Sequence, residues 1–274
     1  MTELILVTGG TGTLGRLVVR LLAADGRTVR VLSRHARPDA QGQPDQGQPD
    51  QGHIDWAVGD LRKGSGVGAA VAGATAIVHC ATGRGEVRSA VNLIEEARLE
   101  RPHLVYISIV GVDRVPVGYY KSKLEAERRI EASGLPWTIM RATQFHQLIL
   151  RGCEALAHLP VLPVPAGTSF QPIEAAEVAE RLVGLALGPP ARRVPDMGGP
   201  QVRDAGDLAR AYLRARGRRR AVLPVTLPGK AFAEIRRGGN LARDNAVGRI
   251  TFDHFLAERF PSAPSAPSAP SGPN

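Results

Sequence analysis

Two residues in the middle of the chain have the types and spacing of a proton-transfer pair. Tyr119 and Lys123 are four positions apart in a segment with helical character, so both side chains lie on one face of the helix. A Lys ammonium beside a phenol lowers the pKa of the Tyr, which then exchanges a proton near neutral pH. Ser108 ends the preceding apolar strand, where its hydroxyl could hold a substrate oxygen. Taken alone, this spacing is more often that of a solvated helix face, but the strand-end Ser and the nucleotide-binding pattern that precede it favour a functional pair.

A second chemical signal lies near the start of the chain, where glycines follow a short apolar run. Leu4 to Val7 is typical of a buried parallel strand, and the apolar stripe from Leu14 to Leu22 has helical spacing. Gly9, Gly12 and Gly15 lie between them and allow a sharp turn, close approach to phosphate and tight helix packing. The alternative is an ordinary glycine-rich turn, but strand, turn and helix together predict a pyrophosphate site. The expected contacts there are Gly9, Thr11, Gly12, Thr13, Leu14 and Gly15.

The end of the second predicted strand, Thr28 to Leu32, indicates which nicotinamide nucleotide is bound. An Asp or Glu there would accept a hydrogen bond from the ribose 2′-OH of NADH. This chain has Ser33 and Arg34 instead, with Arg16 on the first predicted helix. Guanidinium groups match a 2′-phosphate in charge and shape, so we expect NADPH to be preferred over NADH. The alternative is that these arginines are solvated surface residues.

The third and fourth predicted strands, Ile54 to Val58 and Ala76 to Cys80, end in further candidate cofactor contacts. Asp60 could accept a hydrogen bond from the adenine amino group or could equally be a turn or capping residue. The other expected contacts in these turns are Leu61, Ala81 and Thr82.

Composition argues against several other functions. The net charge of +9 comes mostly from scattered arginines, and the dense run from Arg214 to Arg220 lacks interleaved aromatic residues, so we expect no nucleic-acid partner. No segment approaches the roughly 20 apolar residues that cross a bilayer, and no signal peptide is visible. We therefore expect a cytoplasmic protein without a membrane partner.

Cys80 and Cys153 have no metal-ligand spacing, so no metal is expected. His146 fits a loop or core role better than acid–base work.

The order of elements predicts an α/β protein with a doubly wound parallel sheet. We assign residues 1–142 to a nucleotide-binding core and 143–260 to a smaller portion that covers the substrate. The polar repeat at 41–52 is expected to be a surface loop, and the Ser-Ala-Pro-rich segment 261–274 a disordered tail.

These motifs together resemble the short-chain dehydrogenase/reductase superfamily, in its atypical, NmrA-like NAD(P)H-binding branch. The resemblance extends over essentially the whole globular chain and depends on residues 8–15, 59–61, 108–113, 119–123 and 133–145.

The resemblance implies a Rossmann sheet with a small C-terminal substrate-covering portion. It also implies that Tyr119 exchanges the proton, that Lys123 binds the nicotinamide ribose and that Ser108 orients the substrate. Thr143 and Phe145 would line the nicotinamide end. Because Tyr120 directly follows Tyr119, the choice between them depends on the spacing to Lys123.

The function expected from the sequence is an NADPH-dependent oxidoreductase acting on a small carbonyl, quinone or activated alkene, as a monomer or homodimer. Two alternatives stay open: a nucleotide-binding, redox-sensing regulator without turnover, and an isomerase or cyclase without net redox chemistry.

Overall fold

The computed structural model describes residues 3–35 and 53–261, so the predicted loop at 41–52 and the tail from residue 262 lie outside it. The strands are β1 Leu4–Thr8, β2 Thr28–Ser33, β3 Ile54–Val58, β4 Ala74–His79, β5 His103–Ile109, β6 Trp137–Ala142, β7 Leu162–Pro165, β8 Ser169–Phe170, β9 Arg192–Arg193, β10 Arg203–Asp204 and β11 Val222–Val225. The α-helices are α1 Gly15–Ala24, α2 Val67–Val71, α3 Glu86–Ala97, α4 Gly118–Glu131, α5 His146–Leu156, α6 Ala175–Ala186, α7 Ala205–Ala215, α8 Lys230–Arg236 and α9 Phe252–Arg259.

A seven-stranded parallel sheet forms the centre of the molecule, in the order β3-β2-β1-β4-β5-β6-β9. The order reverses between β1 and β4, because the chain crosses to the other side of β1 after β3. In such a sheet the strand ends leave a crevice at the reversal point, where ligands bind. The predicted doubly wound α/β fold is confirmed.

Side chains alternate between two apolar layers along each central strand. On β1, Ile5 and Val7 face the layer formed with α1 and α6, whereas Leu6 faces α2, α3 and α4. All three are buried, and each contributes about 1.5–3 kcal/mol to stability. The continuous apolar strands of the sequence are therefore strands covered by helices on both faces.

The C-terminal residues build a third, smaller apolar cluster. Leu208 and Tyr212 of α7 pack there with Phe252 and Leu256 of α9, beside the two-stranded sheets β7–β11 and β8–β10. Other late segments return to the main sheet, since β9 pairs with β6 and α6 packs in the cluster that contains α1. The division at residue 142 stays a prediction.

Predicted and observed elements differ mainly at their ends. The apolar run 135–140 predicts a strand, but β6 spans Trp137–Ala142. Ser133 and Leu135 belong to a turn, in which Ser133 Oγ donates to Ile130 O and accepts from Leu135 N. The two-residue strands β8, β9 and β10 were not predicted, because two residues are too few to show a periodic pattern of apolar side chains. Among the residues described, none of the helices is long and apolar enough to cross a membrane.

Candidate active site

A cavity of about 570 Å³ lies at the sheet's reversal point, over the carboxyl ends of β1, β2, β3 and β4. Its size is in the range of small-molecule and cofactor sites. The predicted contacts that line it are Gly9, Thr11, Gly12, Ser33, Arg34, Asp60, Leu61, Ala81 and Thr82. Sequence reasoning missed several others: Leu32, His35, Arg62, Arg84, Glu86 and Ser89.

The glycine turn after β1 is shaped by contacts that leave no room for side chains. Gly9 has a φ of +69°, and a Cβ on it would lie 2.6 Å from Ala81 N. A Cβ on Gly15 would lie 2.1 Å from Gly9 O, which accepts a hydrogen bond from Gly12 N. No side chain in the described ranges caps the N-terminus of α1, so N–H groups there are available to an anion. The turn fits the pyrophosphate of a nicotinamide dinucleotide.

Some predicted contacts of this turn lie behind the cavity wall. Leu14 is buried in the core cluster with α1, and Gly15 packs against the turn itself. Arg16 is exposed on α1 and is not among the residues that line the cavity. Their roles as cofactor contacts stay predictions.

Three arginines line the cavity. Arg34 was expected there from the sequence, whereas Arg62 and Arg84 were not. The Asp60 carboxylate accepts hydrogen bonds from Arg62 N at 2.9 Å and Lys63 N at 3.3 Å, so it stabilises its own turn. Asp60 therefore has the turn role that its sequence position allows, and it also lines the cavity.

A further arginine reaches the glycine turn from the C-terminal portion. Arg151 of α5 places Nη2 3.5 Å from Thr13 Oγ1. Nothing in the local sequence around Arg151 suggests this contact, because it joins residues 138 positions apart.

Thr143 and Phe145 follow β6 and were expected at the nicotinamide end. Thr143 Oγ1 donates to Gln171 O at 2.5 Å and accepts from Gly199 N at 3.2 Å, so its hydroxyl joins buried backbone segments. Phe145 packs partly buried against the core cluster of α1 and α6. Their contact with the nicotinamide stays a prediction.

Helix α4 carries the proton-transfer candidates and is held on the sheet by a buried ion pair. Arg141 of β6 donates to both oxygens of Glu127, at 2.9 and 2.7 Å, and also to Asp113 at 2.9 Å. Although burial opposes ionisation, the Arg141 guanidinium holds the pKa of Glu127 below its ordinary value. This bidentate contact fixes the helix relative to β6.

Tyr119 lies in the first turn of α4 with 39% of its surface exposed. Partial burial and the Glu86 carboxylate raise the pKa of Tyr119 to about 12, and the neighbouring Thr82 hydroxyl offsets only part of this. The pKa of Tyr119 is thus raised in the structure, not lowered, and the Lys123 ammonium pairs with Glu86. Lowering of the Tyr119 pKa by Lys123 stays a prediction that this arrangement does not support.

Lys123 points into the protein interior, where only 1% of its side chain is exposed. Its Nζ lies 2.9 Å from Glu86 Oε1, donates to Ile107 O at 2.9 Å and stands 4.5 Å from the centre of the Tyr106 ring. Burial lowers the pKa of Lys123, while Glu86 favours the charged form. The spacing to Tyr119 is helical as predicted, but Lys123 pairs with Glu86.

Glu86 joins this ion pair to a buried polar chain that reaches β1. Its Oε1 accepts from Tyr106 Oη at 2.7 Å, and the Tyr106 ring stacks on His79 with centres 5.3 Å apart. His79 Nδ1 lies 2.6 Å from Thr8 Oγ1, and burial lowers the pKa of His79 to about 4. Sequence reasoning missed this chain, although polar residues inside the apolar β4 and β5 were a usable signal.

Ser108 lies on the face of β5 that α4 covers, two residues after Tyr106, and is 2% exposed. The structure therefore places its side chain beneath the helix instead of at the cavity wall. Substrate orientation by Ser108 stays a prediction that this placement does not support.

Two other features noted in the sequence have structural roles. His146 is buried, with Nε2 3.0 Å from Ile250 O and its ring stacked on Phe255 at 5.2 Å. In the arginine run, Arg220 donates to Ala157 O at 2.6 Å, and the Arg216 guanidinium lies 4.7 Å from the centre of the Phe260 ring. Both features stabilise the C-terminal portion.

Comparison with known proteins agrees with this architecture. Residues 9–183 match the family described as NAD(P)H-binding. An uncharacterized protein of Mycobacterium tuberculosis is 28% identical over 184 residues, 67% of this chain, and the chain spans only 20% of that relative. The NAD(P)H azoreductase of Xenophilus azovorans is 28% identical over 236 residues, 82% of this chain and 78% of that protein.

Among solved structures, the NADPH-dependent quinone oxidoreductase QOR2 of Escherichia coli, complexed with NADPH, has a TM-score of 0.74. The match covers 93% of this chain and 99% of that one at 18% identity, and shows the shared fold.

Proposed function

Because the chain belongs to the NAD(P)H-binding family of atypical short-chain dehydrogenases/reductases, we propose that it is an NADPH-dependent oxidoreductase. Its substrate is a small carbonyl, quinone or activated alkene. Two relatives support this class, since one is an NAD(P)H azoreductase and the other a quinone oxidoreductase. The observation that carries the proposal is the half-exposed Tyr119 phenol beside Thr82, at the edge of a cavity that contains the glycine turn.

Different cavity residues would hold different parts of NADPH. The backbone of Gly9 and Gly12 and the N-terminus of α1 would hold the pyrophosphate, and Arg34 with Arg62 would hold the 2′-phosphate. When bound, NADPH supplies a hydride to the substrate.

Tyr119 supplies the proton in this reaction. With a pKa of about 12 the phenol is almost entirely protonated at neutral pH, so it acts as a donor and not as a base. Such a group suits the reduction of a carbonyl or quinone, in which the substrate oxygen gains a proton. Lys123 is too deeply buried to donate this proton itself.

The test measures NADPH consumption with a panel of quinones, ketones and azo compounds. Tyr119→Phe is expected to lower kcat about 100-fold, because general acid catalysis contributes on this order. Tyr120→Phe is the matched control, since it removes the adjacent hydroxyl, and it should lower kcat less than threefold. Product formed without net consumption of NADPH would contradict the proposal and favour an isomerase or cyclase.

One observation favours the regulator as a second candidate. Ser108 and Lys123, two of the three predicted catalytic residues, are buried and face α4 or the core. A regulator would bind NADPH tightly, show no turnover with any panel member and be indifferent to Tyr119→Phe. That combination would replace the enzyme proposal.

A further inference from the structure

Asn92 of α3 holds the turn that follows β3, although it is not among the residues that line the cavity. Its amide Nδ2 donates to Leu61 O at 2.6 Å and to Arg62 O at 3.2 Å. An asparagine amide carries two N–H donors, so one side chain satisfies both carbonyls. Because Leu93 and Ile94 bury the other face of α3 in the core, the turn is attached to a fixed element.

Arg62 extends from this turn toward the start of α3 and lines the cavity. A Cβ on Gly85 would lie 2.7 Å from Cδ and 3.0 Å from Cγ of Arg62, so the arginine stem runs across the glycine that precedes α3. Gly85 has a φ of +83°, a conformation that favours glycine. Since the stem already lies against backbone, the guanidinium has less conformational freedom to lose when it binds an anion.

The other residues of the turn have anchors that do not depend on α3 side chains. Asp60 Oδ1 accepts from Arg62 N at 2.9 Å, and Gly64 N donates to Asp60 O at 2.8 Å. The side chain of Leu61 packs partly buried against the apolar cluster of α2, α3 and α4. The hydrogen bonds from Asn92 therefore matter most for the end of the turn that carries Arg62.

We propose that Asn92 is a positioning residue for cofactor preference: it fixes the backbone of Arg62, so that the guanidinium is held over Gly85 for the 2′-phosphate of NADPH. This inference rests on the proposed function, in which Arg62 with Arg34 holds that phosphate. A guanidinium binds phosphate through paired, directional hydrogen bonds, so a displaced Arg62 loses part of the interaction. NADH lacks the 2′-phosphate, and its binding depends far less on Asn92.

The experiment measures the dissociation constants of NADPH and NADH by fluorescence titration of the full-length chain. Arg62→Ala is expected to weaken NADPH binding about tenfold, because a charge-assisted contact is lost. Asn92→Ala should weaken NADPH binding about fivefold and change NADH binding by less than about twofold. Glu95→Ala, an exposed residue on the same helix, is the matched control and should leave both constants unchanged.

A double-variant cycle shows whether Asn92 acts through Arg62. If it does, Asn92→Ala/Arg62→Ala binds NADPH within about twofold of Arg62→Ala alone. In Asn92→Ala/Arg34→Ala the two losses should multiply, because Arg34 follows β2 and lies outside the turn that Asn92 holds. Losses that multiply in the double variant with Arg62 would overturn the proposal. Equal losses of NADPH and NADH affinity in Asn92→Ala would also overturn it, because a merely structural role predicts that result.

Chemical denaturation shows that each variant is folded at the titration conditions. If Asn92→Ala is not, Asn92→Ser, which keeps one hydroxyl donor, takes its place in the cycle with a smaller loss expected for NADPH alone.

The single variants separate this inference from the proposed function. If Arg62→Ala weakens NADPH and NADH equally, the proposed contact of Arg62 with the 2′-phosphate fails, and the role of Asn92 fails with it. If Arg62→Ala weakens NADPH alone but Asn92→Ala binds NADPH like the wild type, only the inference about Asn92 fails. Because the readout is binding, the result is decided even if the chain shows no turnover.

Discussion

The proposed phosphate end and the proposed proton-transfer end of the cavity are built in different ways. The phosphate end consists of backbone from one short segment, in which Gly9 and Gly15 contact each other. The proton-transfer end depends on Lys123, Glu86 and Tyr106, which come from two helices and a strand. A motif therefore predicts a site reliably where local backbone forms it, and less reliably where side chains from distant segments pair.

The largest effect is expected from Gly15→Ala, at the phosphate end. The new Cβ would lie 2.1 Å from Gly9 O, so either the turn or α1 must move. We expect unfolding free energy to fall by about 1–3 kcal/mol. NADPH affinity should fall about 100-fold, equivalent to about 3 kcal/mol. Chemical denaturation and fluorescence titration measure the two effects.

Gly184→Ala on α6 is the control for this prediction, because a Cβ there meets no heavy atom within 4 Å. It should leave binding unchanged. Wild-type affinity in Gly15→Ala would show that the turn tolerates rearrangement and that its close packing is not required.

Acid should weaken the proton-transfer end through His79. The pKa of this imidazole falls from 6.5 when exposed to about 4 when buried, so below pH 6.5 the unfolded chain binds a proton that the folded chain does not. Stability is therefore full above 6.5 and declines toward pH 4, by at most about 1.4 kcal/mol for each pH unit. Denaturation at several pH values measures the slope, and hydrogen exchange should show it first in β4 and β5.

His79→Asn is expected to flatten this slope, although its stability at neutral pH will be lower. The exposed His158→Asn serves as the matched control and should keep the wild-type slope. An unchanged slope in His79→Asn would assign the acid response to other groups.

Arg34→Ala tests the adenosine side of the phosphate end. Loss of a guanidinium from the cavity should weaken NADPH about tenfold, or about 1.4 kcal/mol, and leave NADH affinity unchanged. Titration with both nucleotides gives the ratio. Arg16→Ala is the sharpest control, because the sequence selects both arginines but only Arg34 lines the cavity. If the wild type binds NADPH and NADH equally well, and Arg34→Ala changes neither affinity, the proposed preference for NADPH is wrong.

The smallest effect is expected from Arg151→Ala, which removes the contact from α5 to Thr13. Because this contact is exposed, we expect NADPH affinity to fall about threefold, within the range of surface charge interactions. Titration at low and high salt measures it, since salt screens an exposed charge. Arg20→Ala, an exposed arginine on α1, should have no effect, and an equal loss in both variants would contradict a specific role for Arg151.

The apolar periodicity of the sequence predicted the main sheet closely, since β3 has the predicted bounds. Nine predicted contacts line the cavity because parallel strands end at one edge of the sheet. Arg62, Arg84 and Glu86 were missed, since a charged residue in or beside a turn is usually solvated and carries no local sign of a ligand. The sequence predicted that Ser108 ends its strand, but it did not indicate that α4 covers this side chain.

The sequence alone determined the glycine turn, the alternation of strands and helices and the edge of the sheet where a nucleotide can bind. These follow from conformational limits and apolar periods within short segments. Only the tertiary structure decided that Lys123 pairs with Glu86 and that burial raises the pKa of Tyr119. The reason is physical: a buried charge takes the partner that packing brings within hydrogen-bond distance, and for Lys123 that partner comes from another helix.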